Sequence, residues 1–197
     1  MIKKRLFDLF FVIPGLIVLL PVLVLIALLI KLKDGGNVLF KQDRVGKNGV
    51  HFKVLKFRTM VVDAEKLGNK VTTGNDPRIT PVGSILRKYK LDELPQLFNV
   101  LMGEMSLVGP RPEVPEYVEF YPDETRDIVL SVPPGMTDRA SIEFVNENDL
   151  LSDSDDPVND YKNKVLPIKL KFYVDYVNDR SLWLDFNLIL KTVIAIF

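Results

Sequence analysis

The sequence predicts an α+β fold, mostly helical. An N-terminal re-entrant membrane helix-break-helix (residues 1–33) precedes a small cytoplasmic globular domain (34–197) with a β-hairpin and interfacial helices. Three observations carry this. Leu9–Ile30 is 22 residues without a charge, with Pro14 and Pro21 inside it. Two β-prone runs then flank Gly46-Lys47-Asn48-Gly49, as in a hairpin. Most of the remainder shows helical spacing broken by Pro and Gly.

The apolar run is long enough to cross a bilayer as one helix. Two features favour entry and exit on one face. Pro21 lies near the middle, and a proline removes a backbone hydrogen bond and favours a kink. Halves of about 10 residues reach roughly 15 Å, half the hydrocarbon thickness. Basic residues stand at both ends, Lys3-Lys4-Arg5 before and Lys31 and Lys33 after, and positive flanks favour the cytoplasmic side.

Asp34-Gly35-Gly36-Asn37 ends this element as a turn. Val38–Val45 and Val50–Met60 read as paired strands, the second carrying Lys53, Lys56 and Arg58. Asp63–Thr73 reads as a short helix. Thr80-Pro81 is an N-cap with proline at the first helical position, with Ile85, Leu86 and Tyr89 as the expected buried side. In Lys90–Leu101, Asp92 stands where a cap belongs, Pro95 fits the first turn, and Leu94, Leu97, Phe98 and Leu101 form one apolar face. Gly109-Pro110-Arg111-Pro112 is a stiff loop carrying one arginine. Helices are expected at Val114–Phe120, at Asp123–Leu130 capped by Asp123, and at Tyr161–Asn178, restarting near Pro167. Ser131–Thr137 reads as loop and Glu147–Asp160 as a solvated acidic loop. Trp183–Phe197 is too short to span and suits a helix lying at the interface.

Composition narrows the chemistry. Lys plus Arg and Asp plus Glu both number 26, so net charge gives no pull toward nucleic acid. There is no cysteine and one histidine, His51, in a strand-like run. Catalysis therefore rests on carboxylates, arginine, lysine, hydroxyls or an oxygen-held metal. Asp92 and Glu93 are adjacent, so they diverge by about 100° on a helix and cannot flank a substrate as a glycosidase pair does. Two readings stand. They are a cap and a first-turn acid, or one attacks phosphorus while the other helps hold a metal. A helix N-terminus favours a phosphate, and Arg87 and Arg111 are placed to clamp its oxygens.

Four segments resemble the bacterial sugar transferase family, the monotopic phosphoglycosyl transferases. They are Lys90-Leu91-Asp92-Glu93-Leu94-Pro95-Gln96-Leu97-Phe98-Asn99-Val100-Leu101, Gly103-Glu104-Met105-Ser106-Leu107-Val108-Gly109-Pro110-Arg111-Pro112, Lys56-Phe57-Arg58-Thr59-Met60, and Phe40-Lys41-Gln42-Asp43-Arg44-Val45-Gly46. The apolar run with its central proline and Ser181-Leu182-Trp183-Leu184-Asp185 extend the likeness over nearly the whole chain.

The resemblance implies transfer of a sugar-1-phosphate from a UDP-sugar to polyprenol (undecaprenyl) phosphate, releasing UMP, with Mg²⁺. It implies Asp92 as nucleophile, forming a covalent phosphosugar-enzyme in a ping-pong scheme, and Glu93 as metal support. Asp92 and Glu93 are thus the implied catalytic and metal residues. Arg44, Arg58, Arg87 and Arg111 are the implied substrate-binding residues. The implied place is the cytoplasmic face of the bacterial inner membrane, at the first membrane step of polysaccharide or glycoprotein assembly. Implied partners are the UDP-sugar, the polyprenol phosphate and membrane lipid, without nucleic acid; a homodimer is left open. One departure concerns the sugar: Met136-Thr137-Asp138-Arg139-Ala140-Ser141-Ile142 replaces the family's usual Ile-Thr-Gly-Trp-Ala-Gln-Val. A non-catalytic scaffold and a nucleotide-sugar hydrolase are the competing readings. The first is disfavoured by the intact Asp92-Glu93 pair, and the second leaves the membrane element unexplained.

Overall fold

The computed structural model describes residues 2–64, 76–143 and 156–196. Helix α1 (Ile2–Asp34) is one helix with Pro14 and Pro21 inside it. The expected division into two helices at Pro21 does not occur. A proline deletes one hydrogen bond from a ladder of about thirty, and packing along the whole length of α1 outweighs that loss. Asp8, Val12, Leu23, Ile26 and Ile30 are buried, and with half-buried Leu16 and Leu19 they form a stripe whose members follow one another at steps of three or four. The other faces of α1 remain apolar and exposed, including Phe10, Ile17, Val18 and Leu25.

Strands β1 (Leu39–Val45) and β2 (His51–Phe57) form the expected antiparallel hairpin, Leu39 opposite Phe57 and Val45 opposite His51. Asn48 and Gly49, both at positive φ, make its turn. Phe52, Val54 and Phe57 point inward while His51 and Lys53 point out, so the single histidine is a surface strand residue.

Helix α2 (Pro81–Lys88) has the predicted cap: the Gly83 N–H donates to Thr80 Oγ1 at 2.9 Å. Its buried side differs. Gly83 and Leu86 face inward, whereas Ile85 and Tyr89 are exposed. Gly83 faces the Thr59 backbone so closely that a Cβ would lie 1.9 Å from the Thr59 carbonyl oxygen.

Helix α3 begins later than the sequence suggests, at Gln96–Met102, with Pro95 as its N-cap residue. Asp92 is not the cap. It lies in a 3₁₀ turn, Leu91–Glu93, entered through Lys90 in the left-handed region (φ 53°). After α3 the chain turns at Gly103 into pairing the sequence did not suggest. β3 (Ser106–Val108) runs parallel to β4 (Gly135–Thr137), which had read as loop. Gly109 and Gly135 are in backbone contact: a Cβ on Gly135 would sit 2.1 Å from the Gly109 nitrogen.

Helices α4 (Pro115–Val118) and α5 (Asp123–Leu130) follow as expected, except that Pro122, not Asp123, holds the N-cap of α5. After β4 come α6 (Arg139–Glu143) and α7 (Pro157–Asp160), then a π-helical turn, Tyr161–Val165, and α8 (Leu166–Asp179). The π turn accommodates Pro167, which cannot donate to an α ladder. Helix α9 (Leu182–Ile196) exposes Trp183, Val193 and Ile194 and buries Leu188 and Asp185. The helix expected from Asp63 onward and most of the acidic loop Glu147–Asp160 lie outside the described residues.

Candidate active site

Three segments meet at Glu93. β2 brings Lys56, whose Nζ donates to Glu93 Oε1 at 2.7 Å. The Gly109–Pro112 loop brings Arg111, whose Nη2 donates to Glu93 Oε1 at 2.6 Å and Nη1 to Oε2 at 3.3 Å. The turn Leu91–Glu93 brings the carboxylate itself. Arg111 is aimed because the Gly109–Gly135 contact and two prolines fix its loop. Arg44 then holds the loop, donating to the Pro112 carbonyl at 3.0 Å and pairing with buried Glu113.

Asp92 has the opposite environment. It is 9% exposed, and its Oδ1 is buried with no hydrogen-bond partner among the described residues. Burial, reinforced by the Glu93 charge, pushes its carboxyl above the ordinary range; Lys56, Arg87 and Lys90 oppose this. Burial also works against Glu93, but Arg111 and Lys56 outweigh it and hold that carboxyl well below its ordinary value. Two neighbouring carboxylates are thus driven apart, the pattern that assigns different chemical roles to two acids. Glu93 stays ionised and fixed, while Asp92 keeps an unoccupied acceptor oxygen.

Arg87 reaches the same region from α2. Its Nε donates to buried Thr59 Oγ1 at 2.8 Å. Burial lowers its guanidinium from the ordinary value, and Asp92 is the leading charge that restores it. The close seat of Gly83 on Thr59 therefore sets the height of Arg87 beside Asp92.

A family model for bacterial sugar transferases matches residues 1–197. The chain belongs to the bacterial sugar transferase family. Exopolysaccharide production protein ExoY of Sinorhizobium fredii is 37% identical over 210 residues, 99% of this chain and 85% of that protein. The undecaprenyl-phosphate glucose phosphotransferase of Komagataeibacter xylinus is 40% identical over 98% of this chain and 35% of that protein. The UDP-N-acetylgalactosamine-undecaprenyl-phosphate N-acetylgalactosaminephosphotransferase of Aeromonas hydrophila is 35% identical over 96% of this chain and 42% of that protein. The chain spans less than half the length of these last two relatives.

In this sugar transferase the structure gathers Asp92, Glu93, Arg87 and Arg111, as the sequence suggests. It engages Arg44 with the Pro112 carbonyl and Glu113, within electrostatic reach of Glu93 and Arg111, and directs the Nε of Arg58 to the Asn37 carbonyl, at 2.6 Å. Lys56 is the site residue that reading the sequence left out of the binding set, although it opens the Lys56–Met60 motif. Its signal is position: strand alternation points it opposite to Leu55, onto the sheet face where the Glu93 turn sits.

The donor set also bears on a metal. Among the described residues no group of three or more His, Asp or Glu side chains lies together. A Mg²⁺ ion commonly takes one or two carboxylates and completes its shell with substrate phosphate and water. The unpartnered Asp92 oxygen beside Glu93 fits that minimal set.

A second buried polar cluster went unnoticed in the sequence. Asp8 of α1 accepts from Ser106 Oγ at 2.9 Å and from Lys4 at 2.8 Å. Lys4 also pairs with Asp185 of α9 at 3.0 Å, and the Tyr176 hydroxyl donates to Asp185 at 2.8 Å. It fastens the start of α1 and of α9 to β3.

Proposed function

We propose that this sugar transferase moves a sugar-1-phosphate from a UDP-sugar to undecaprenyl phosphate in two displacements at Asp92. The observation that carries this reading is the Asp92 oxygen left buried and unpartnered beside a Glu93 already neutralised by Lys56 and Arg111. A carboxylate stripped of donors is a better nucleophile than one capped by a backbone N–H.

In the first displacement an Asp92 oxygen attacks the phosphorus that bears the sugar. The bond to the bridging oxygen of the diphosphate breaks, and UMP leaves with the electron pair. In the second, an oxygen of the lipid phosphate attacks the same phosphorus. The acyl-phosphate bond breaks, Asp92 is restored as a carboxylate, and a sugar-diphospholipid forms. Arg111 and Arg87 bind phosphate oxygens and offset charge as it develops. Lys56 and Arg111 together hold Glu93, which keeps the turn rigid and electrostatically raises the proton affinity of Asp92. Asp92 would hold the Mg²⁺ ion through its unpartnered oxygen, with Glu93 in support, and the ion would supply charge neutralisation on the diphosphate. The relatives' names support the acceptor and a role in bacterial polysaccharide assembly.

Membrane attachment on one face is part of the proposal. Helix α1 is about 50 Å long, more than the hydrocarbon thickness of about 30 Å. Both its ends are fastened to one body: Arg5 donates to the Val100 and Leu101 carbonyls, and Ile30 packs with Phe57 and Leu86. A helix held at both ends by the same domain presents its exposed apolar faces to the membrane from that domain's side, the cytoplasmic side by its basic flanks.

The test is UMP release from a panel of UDP-sugars, with and without undecaprenyl phosphate. The proposal requires one equivalent of UMP per enzyme without the lipid and continuous release with it. Continuous release without lipid would make the protein a hydrolase, and no release with any sugar would make it a scaffold.

A further inference from the structure

The Leu91–Glu93 turn is entered through a residue that the backbone there does not favour. Lys90 sits in the left-handed region, at φ 53° and ψ 19°. Among the described residues the other non-glycine positions with positive φ are Asn48 and Asp63, whose short polar side chains tolerate that conformation. The local hydrogen bonds do not call for a lysine either. The Lys90 N–H donates to the Arg87 carbonyl at 3.1 Å, and the Lys90 carbonyl accepts from the Glu93 N–H at 3.2 Å. These bonds place the residue between Arg87 and the two carboxylates. Glycine or asparagine would make both with less strain. A strained position held beside a reacting group points to function.

The side chain is uncommitted. It is exposed, and no acid among the described residues pairs with it. The other cations of the site are engaged: Lys56 and Arg111 on Glu93, Arg87 on Thr59. The Lys90 charge nevertheless reaches Asp92, where with Lys56 and Arg87 it opposes the effect of burial.

The direction of attack decides which group Lys90 meets. In an in-line displacement the attacking and leaving oxygens stand on opposite sides of phosphorus. The unpartnered Asp92 oxygen is buried, so it attacks from inside and the leaving oxygen points outward. In the second displacement the acceptor phosphate approaches along that same outer line.

We propose that the Lys90 ammonium binds phosphate on the outer side of the turn, first the phosphate of the departing UMP and then that of the acceptor lipid which replaces it. The inference rests on the two displacements at Asp92 and adds the residue that serves the group opposite the nucleophile.

The test uses the full-length protein and two variants. Lys90→Asn removes the charge but keeps a residue suited to positive φ, and Lys90→Arg keeps the charge. UMP and uridine are titrated into each protein, and the KM for undecaprenyl phosphate is measured with a UDP-sugar that supports turnover. Lys90→Asn should keep the native melting temperature, weaken UMP binding by about tenfold or more, the loss of one charge-assisted hydrogen bond, and leave uridine binding unchanged. It should raise the lipid KM by a similar factor, while Lys90→Arg stays close to native in every respect. Equal UMP binding by the native protein and Lys90→Asn overturns the role of Lys90 and leaves the two displacements standing. An equal loss of UMP and uridine binding overturns it as well, since the phosphate is then not what Lys90 holds. Weaker UMP binding with an unchanged lipid KM overturns the shared phosphate seat. A native protein that neither binds nor releases UMP overturns the transfer reading itself.

Discussion

Asp92 carries a cost that the proposed role as nucleophile would explain. Its folded-state pKa is raised, so the folded protein favours the protonated carboxyl. That contribution to stability is full below the unfolded value near 3.8 and is lost as pH rises through the higher folded value. At neutral pH the ionised, buried carboxylate therefore destabilises the fold. Asp92→Asn should abolish turnover and raise the melting temperature, a pairing that calorimetry and UMP release together would check. Glu93 has the opposite sign. Its folded pKa is depressed, so its stabilisation is full above the unfolded value near 4.5 and fades as pH falls through the folded value. Glu93→Gln should cost about 3 kcal/mol, the low end of breaking a buried pair, since Lys56, Glu93 and Arg111 each keep some exposure. The same variant removes the charge that raises Asp92 and frees two cations beside it. The acid limb of the half-reaction, set by ionisation of Asp92, should then move to lower pH. A limb that stays put would show that Glu93 does not govern Asp92.

Among the elements, β2 and α3 are joined by one side chain. Asn99, fully buried, accepts from the Leu55 N–H at 3.0 Å and donates to the Lys53 carbonyl at 2.8 Å and to Glu104 at 2.7 Å. Its amide completes the free edge of β2 as a neighbouring strand would, and so fixes Lys56 relative to the Glu93 turn. Asn99→Leu leaves a strand N–H and carbonyl buried without partners and should cost about 2–5 kcal/mol, measurable by denaturant unfolding. Gly135→Ala should cost more than about 4 kcal/mol, because a Cβ meets the Gly109 backbone at a distance no rotamer relieves. The hairpin, the Thr80 cap and the start of α8 near Pro167 were legible because each depends on a few adjacent residues. The parallel pairing of β3 with β4 was not, since it joins short segments some thirty residues apart with no alternation to read. The apolar spacing of Phe98, Leu101, Ile85 and Tyr89 was real, but spacing states that a face is apolar and not what it packs against. Similarly, Asp92 looked like a cap because its spacing suits one; the 3₁₀ turn entered through Lys90 puts it before the helix instead. Arg87 and Arg111 were identifiable as a pair, whereas the swing of Arg58 toward Asn37 depends on a contact that only folding supplies.

The whole molecule is organised by α1. Its inner stripe forms one wall of two core clusters, its first turns are tied to β3 and α9 through Asp8 and Lys4, and its end packs on α2. Removing it would expose the cores around both β2 and α3, so truncation before residue 34 should give insoluble protein rather than a soluble enzyme. Tags placed at residue 1 and in the turn at Gly35-Gly36 should be cut together, from the same side of sealed vesicles; cleavage from opposite sides would make α1 a span. Placing the catalytic turn one helix away from this element lets one protein handle a water-soluble donor and a lipid acceptor. The proposed two displacements at Asp92 pass through a covalent intermediate that would be held between the departure of one substrate and the arrival of the other. Mass spectrometry of the intact protein after exposure to its UDP-sugar, without lipid, tests this most directly. The account predicts a gain of one sugar-phosphate that maps to the peptide containing Asp92, is absent in Asp92→Asn, and disappears when undecaprenyl phosphate is added. An adduct that persists in Asp92→Asn, or turnover with lipid through an Asp92→Asn enzyme, would contradict it.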